Sequence, residues 1–117
     1  KDIGAVLVAF VAWLLLRGLK TLPLRMDRHC DNAEKIAKKL VDHPEVAHVY
    51  YPTLDDGGIF DKQMSRGGGV ISFEIKGDKK RAQTLLNRVS FIKVAVSLGD
   101  AESLIEHPAT LFLKKIE

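Results

Sequence analysis

The chain has 117 residues, 46% of them hydrophobic and 28% charged, and carries a net charge of +3 at pH 7. That is enough for one domain with one core, of ordinary soluble globular composition. The basic residues are interspersed with acidic ones, and the densest group, Lys35, Lys38 and Lys39, reads as the solvated face of a helix. With no basic stripe interleaved with aromatics, nucleic acid is excluded as the expected partner.

The first element is apolar. Ile3 to Leu16 runs uninterrupted between Asp2 and Arg17. It falls short of the ~20 residues a membrane span needs. It has no small-residue cleavage site after it, and its positive charges come behind it, so neither a span nor a signal sequence is expected. Val6 to about Arg17 is expected to be a helix, buried in a core or against another protein surface. If exposed, it would promote self-association. Residues 1–22 are therefore an apolar helix or linker, and residues 23–117 an α+β domain.

Gly18 and Pro23 end that run, and proline suits the first turn of a second helix. From there Met26, Cys30, Ala33, Ala37, Leu40 and Val41 recur in steps of one helical face. The helix ends at His43-Pro44, because a residue before proline is pushed out of helical space. Cys30, the one cysteine, sits in this stripe as a small buried apolar residue. With no second cysteine there is no intrachain disulfide, and a reducing, cytoplasmic compartment is expected.

Val46 to Tyr51 reads as a strand stopped by Pro52. Asp55-Asp56-Gly57-Gly58 is turn chemistry. Ser65 to Gly69 contains consecutive glycines that match no phosphate-binding loop, and a hinge or strand entry is expected there. Val70 to Ile75 alternates, with Ile71, Phe73 and Ile75 on the buried face. Asp78 is a candidate N-cap for a helix over Lys79–Arg88, with Ala82, Leu85, Leu86 and Val89 as its stripe. Phe91 to Val96 is a further strand. The expected architecture is α+β: a small, mostly antiparallel sheet of about three or four strands with two or three helices on one face.

Chemistry-bearing residues are few. His29, His43, His48 and His107 lie on different elements, which argues against a metal site. Ser97 or Ser103 with His107 is the one local nucleophile–base option, without a nucleophile elbow or a clear orienting acid beyond Glu102. The block VSLGDAESLIEHPA, residues 96–109, holds the best candidate. Its strand would deliver Ser97, Leu98 and Gly99 at a carboxyl end, where a hydroxyl and backbone amides suit a carboxylate. The alternative is a strand-to-turn connection whose polar groups satisfy their own backbone.

Four blocks carry a resemblance: AWLLLRGLKTLPLRMDRHCDNAEKIAKKL (12–40), HPEVAHVYYPTL (43–54), GGVISFEIKG (68–77) and VAVSLGDAESLIEHPA (94–109). Through them the chain resembles the Cys/Met-metabolism family of pyridoxal-phosphate (PLP) enzymes, which includes methionine γ-lyase, cystathionine γ-lyase and cystathionine γ-synthase. The resemblance implies the family's linker helix and the first part of its C-terminal domain. It places the family's cofactor lysine, pyridine-nitrogen aspartate, stacking tyrosine and most phosphate ligands before Lys1, and its carboxylate-binding arginine after Glu117. What it carries onto this chain is Ser97 as a contact of the substrate carboxylate, with Leu98 and Gly99 shaping the same turn. Glu102, Ser103, His107 and Pro108 match as residues that fix the loop.

Departures from the family pattern accompany the matches. Val8-Ala9-Phe10-Val11 replaces a polar stretch, the loop Thr53–Phe60 is short, and the family's Ser-x-Met-Thr-His after the HPA motif is replaced by Thr110–Glu117. These changes suggest idealisation of an excised domain, engineered to stand alone without catalysis or a bound cofactor. The alternatives are a piece of a working lyase whose remainder supplies PLP, and an apolar-helix docking module for a partner or, less expected, a membrane surface.

Overall fold

The computed structural model describes residues 6–54 and 58–111. Helix α1, Ala9–Leu19, is followed after a short turn by the longer α2, Leu22–Val41, which has Pro23 in its first turn. Strand β1, Val46–Tyr50, leads into a 3-10 turn over Pro52–Leu54 and the single-turn helix α3, Phe60–Gln63. Strand β2, Ser72–Ile75, precedes α4, Lys79–Arg88. Strand β3, Lys93–Val94, strand β4, Leu104–Ile105, and the one-turn helix α5, Pro108–Leu111, complete the order. The chain is α+β, as expected.

The core is built on small side chains. Cys30, Ala33 and Ala37 lie on one face of α2 and are buried, Ala37 to 1% exposure. Because these residues are short, α2 approaches β1 closely, and Val49 and Tyr51 fill the interface with Leu40, Val46, Ile71 and Phe73 around them. The ends of the stripe, Met26 and Val41, remain exposed, since β1 and β2 are too short to cover the full length of α2. Strands β1 and β2 pair antiparallel, with Val49 opposite Phe73 and Tyr50 opposite Ser72. An irregularity between Val46 and His48 shifts the register.

Tyr51 organises the centre. It is 3% exposed, and its hydroxyl donates to the Gly68 carbonyl at 2.9 Å. A Cβ at Gly67 would sit 2.5 Å from the Tyr51 ring, and one at Gly69 would sit 2.9 Å from the Cβ of His29. Gly68 between them has φ +78°, a left-handed conformation that glycine adopts without strain. The glycine run is therefore a close-packing strip under Tyr51 and α2 that leads into β2, which agrees with the strand-entry expectation and not with the hinge. Arg66, just before it, ties the strip to α2. It donates to Asp31 at 2.5 Å and to the Asp27 carbonyl at 3.3 Å, and lies 3.6 Å from Glu34.

The expected single sheet divides in two. Strand β3 is shorter than the anticipated Phe91–Val96, and it pairs parallel with β4 rather than joining β1 and β2. The apolar, β-branched run over 91–96 marks extended backbone but does not encode which strand it pairs with. Helix α4 begins as expected, its Asp78 Oδ1 accepting the Arg81 amide at 3.0 Å. None of its residues is fully buried.

Helix α1 is the larger correction. It contains no buried residue, and Phe10, Trp13, Leu14, Leu16 and Leu19 are all exposed. It is therefore not a core helix of this chain. Val8 to Val11, which should have added compact apolar packing, are also largely on the surface. Ile3–Ala5, the turn residues 55–57 and the tail 112–117 lie outside the described residues. No helix among the described residues is long and apolar enough to cross a membrane.

The dimensions agree with this exposure. The surface measures 10019 Å², where a compact monomer of this mass presents roughly 6300 Å². The radius of gyration is 17.8 Å, against about 13 Å for a compact domain of this length.

The packing sets the cost of two glycine substitutions. Gly67→Ala should destabilise the chain by about 1–3 kcal/mol, because the buried Tyr51 ring has no room to move. Gly18→Ala, in α1 with open space around its Cβ, should stabilise by up to about 1 kcal/mol through helix propensity; urea denaturation followed by circular dichroism compares the two. The Arg66 hydrogen bond, aided by the guanidinium charge, holds the Asp31 carboxyl below its ordinary range. The stability this contributes is present above the unfolded carboxylate pKa of about 3.9 and is lost as pH falls through the lower folded value. The gap in denaturation midpoint between the parent and Asp31→Asn should accordingly narrow on acidification below about pH 4.

Candidate functional site

The block 96–109 forms a loop on a small stem. At the stem, the Lys93 amide donates to the Ser103 carbonyl and the Ala95 amide to the Ile105 carbonyl, each at 3.3 Å. The Lys93 ammonium pairs with the Glu102 carboxylate across the same stem. Beyond it, the His107 ring meets the Thr110 hydroxyl at 2.5 Å, and Pro108 opens α5. Glu102 through its side chain and Ser103 through its backbone carbonyl thus brace the stem, while His107 and Pro108 sit at the start of α5.

Ser97, Leu98 and Gly99 occupy the tip. All are exposed, Leu98 to 83%. Gly99 has φ +80° with nothing within 4 Å of a hypothetical Cβ, so its backbone angle alone calls for glycine. The Asp100 carboxylate accepts the Ala101 amide at 2.6 Å and closes the turn on its far side. This leaves the Ser97 hydroxyl and the neighbouring amides at an exposed tip, an arrangement able to donate to an anion.

A nucleophile–base pair is not assembled. Among the described residues the His107 ring bonds to Thr110, and no hydrogen bond joins it to Ser97 or Ser103. Ser97 is therefore suited to binding rather than attack. No group of three or more His, Cys, Asp or Glu residues able to hold a metal occurs among the described residues.

Arg25 joins the site without any motif to announce it. It lies in α2, yet its guanidinium donates to the Gly99 carbonyl at 3.2 Å and to the Gly18 carbonyl of α1 at 2.9 Å. Its Nε donates to the Thr21 hydroxyl at 3.3 Å. The local half of this arrangement has a signal in the sequence, since Thr21 and Arg25 are one helical turn apart. The contact to Gly99, far along the chain, has none.

The displaced titrations belong to the α2–β1–β2 side. Burial, followed by the Glu34 charge, pushes the Tyr51 hydroxyl up. A hydrogen bond to Glu74, 2.6 Å away, does the same for Tyr50. These groups serve packing and the sheet surface and lie away from Ser97 in the fold order.

The lysines decide the fit to PLP. A Schiff-base lysine needs a desolvated pocket that lowers its pKa. Every lysine among the described residues is exposed, so none of them has the desolvated pocket a Schiff-base lysine needs.

Comparison with known proteins agrees with the motifs. The chain matches the family described as "Cys/Met metabolism PLP-dependent enzyme" over residues 1–117. It is 49% identical over 115 residues to an L-methionine gamma-lyase of Pseudomonas deceptionensis, covering 95% of this chain and 29% of that enzyme. The crystal structure of metB from Corynebacterium glutamicum superposes with a TM-score of 0.88 at 48% identity, over 96% of this chain and 30% of that one. Cystathionine gamma-lyase from Lactobacillus plantarum, complexed with L-serine, gives a TM-score of 0.84 at 42% identity, over 98% of this chain and 31% of that one. The chain thus spans under a third of the length of the relatives it matches. From motif order, sequence and fold together, the chain belongs to the Cys/Met-metabolism family of PLP-dependent enzymes.

Proposed function

We propose that this chain is a portion of a PLP-dependent enzyme that acts on a sulfur-containing amino acid such as methionine or cystathionine, and that Ser97 contacts the substrate carboxylate. The observation that carries the reading is the surface. A chain that exposes 10019 Å², with α1 apolar and uncovered, is organised to be enclosed by more protein. In this reading α1 packs against the remainder of the enzyme, in a reducing, cytoplasmic setting.

Within that enzyme PLP supplies the electron sink for C–S bond chemistry. This chain supplies geometry. The β3–β4 stem and the Lys93–Glu102 pair fix the loop base. Gly99 permits the turn, and the Ser97 hydroxyl donates to one carboxylate oxygen. Motif order supports assigning the chain to the family's linker helix and the first part of its C-terminal domain, with Leu98 and Gly99 shaping the carboxylate turn. The printed names of the relatives support sulfur amino acids as substrates, and the L-serine complex of one relative supports an amino-acid carboxylate as the bound group.

The test uses the full-length protein carrying this chain, supplied with PLP and offered L-methionine or L-cystathionine. Release of a thiol, a keto acid and ammonia, with consumption of one water, is expected. A hydrogen bond to a charged group is worth about 1.5–3 kcal/mol, so Ser97→Ala should raise KM by roughly 10- to 100-fold with a smaller effect on kcat. An unchanged KM in an active enzyme would remove Ser97 from carboxylate binding.

A further inference from the structure

Arg25 stands apart from the other arginines in its partners. Arg66 and Arg81 are paired with carboxylates. Arg25 makes no ion pair among the described residues and directs its fork at backbone carbonyls from two distant parts of the chain. One arm donates to Gly18, near the carboxyl end of α1, where unsatisfied carbonyls and the helix dipole favour a cation. The other arm donates to Gly99 in the exposed turn. Thr21, between α1 and α2, accepts from Arg25 Nε and itself donates to the Gly18 carbonyl at 3.4 Å.

We infer that Arg25 is a positioning residue: it locks the Ser97–Gly99 turn to the α1–α2 junction and so sets where the Ser97 hydroxyl lies. The turn has few other restraints. Its residues are exposed, open space surrounds the Cβ position of Gly99, and its stem is a two-residue parallel ladder. Contact with the Gly99 carbonyl fixes the peptide that joins Gly99 to Asp100, two residues from the serine. A planar guanidinium can hold both carbonyls at fixed angles, whereas an ammonium at the same position cannot reproduce the fork. The position of the turn therefore depends on the orientation of α1 relative to α2. Anything that moves α1, including the protein packed on its apolar surface, is transmitted to Ser97 through one side chain.

The inference rests on the proposed carboxylate role of Ser97 for its effect on catalysis, but not for its effect on structure, and two measurements separate them. The full-length protein carrying this chain is prepared with Arg25→Met and Arg25→Lys. In hydrogen–deuterium exchange, Arg25→Met should speed exchange over residues 98–103 by about tenfold, the equivalent of one net hydrogen bond. Amides of β1 and β2 should keep the parent rates, and Arg25→Lys should fall between. No change over 98–103, or uniform acceleration throughout, overturns the inference. In steady-state kinetics with L-methionine, Arg25→Met should raise KM by more than it lowers kcat, with partial recovery in Arg25→Lys. An unchanged KM in an active enzyme whose Ser97→Ala variant does raise KM overturns the inference. If exchange responds as expected while the parent shows no turnover, Arg25 still positions the turn, and it is the carboxylate role of Ser97 that fails.

Discussion

Everything ordered in the centre of this chain depends on the contact between the Tyr51 ring and the small-residue face of α2. Three short side chains, Cys30, Ala33 and Ala37, let the helix come down onto β1. Tyr51 then fills the gap, and glycine is needed at 67 and 69 because its ring and His29 leave no space for a Cβ. The hydroxyl satisfies itself on the Gly68 carbonyl, so a polar atom enters the core without an unmet hydrogen bond. Arg66 fastens the glycine strip to α2 from outside through three acidic side chains. The pairing of β2 with β1 and the start of β2 at Ser72 both depend on where this strip is held.

Away from that centre the chain covers little of its own apolar surface. Helix α1 is apolar around most of its circumference, and Phe91, Val94, Val96 and Leu98 extend the exposed apolar area through the second half. A helix with no polar face is stable when something apolar encloses it. The matched relatives are more than three times as long, and in the proposed reading the remainder of such an enzyme is what encloses it. The expectation of a redesigned, self-sufficient domain drew on Val8–Val11, the short Thr53–Phe60 loop and the Thr110–Glu117 tail together. In the fold Val8–Val11 add to the surface and not to a core.

Arg25 joins the α1–α2 junction to the Ser97 turn. The β3–β4 stem gives the Ser97 loop a base but not an orientation, because two residue pairs define little beyond the loop's closure. Orientation comes from Arg25, which reads the end of α1 and the Gly99 carbonyl together. On that inference, the placement of the turn is set at the connection between two helices. It also explains why the glycine at 18 can have open space around it while its carbonyl is a fixed part of the structure.

Local features were legible in the sequence wherever short-range physics decides. The α2 stripe, the Asp78 cap, the alternation of β2, the buried Cys30 and the turn at Gly99 are all set by spacing and backbone preference, and the motif blocks carried the family. The partners of those elements were not legible. The apolar, β-branched run over 91–96 marks extended backbone but does not say that β3 pairs with β4 in parallel. Three consecutive glycines mark freedom from a Cβ but do not say that a tyrosine ring occupies that space. An apolar run marks a helix that needs cover but does not say whether this chain supplies it. Nor does an arginine in a first helical turn announce a carbonyl far along the chain. Residue type and spacing determined which conformations and chemistries were available. The tertiary structure decided which surfaces met, because burial, steric clearance and long-range hydrogen bonds exist only once distant segments are brought together.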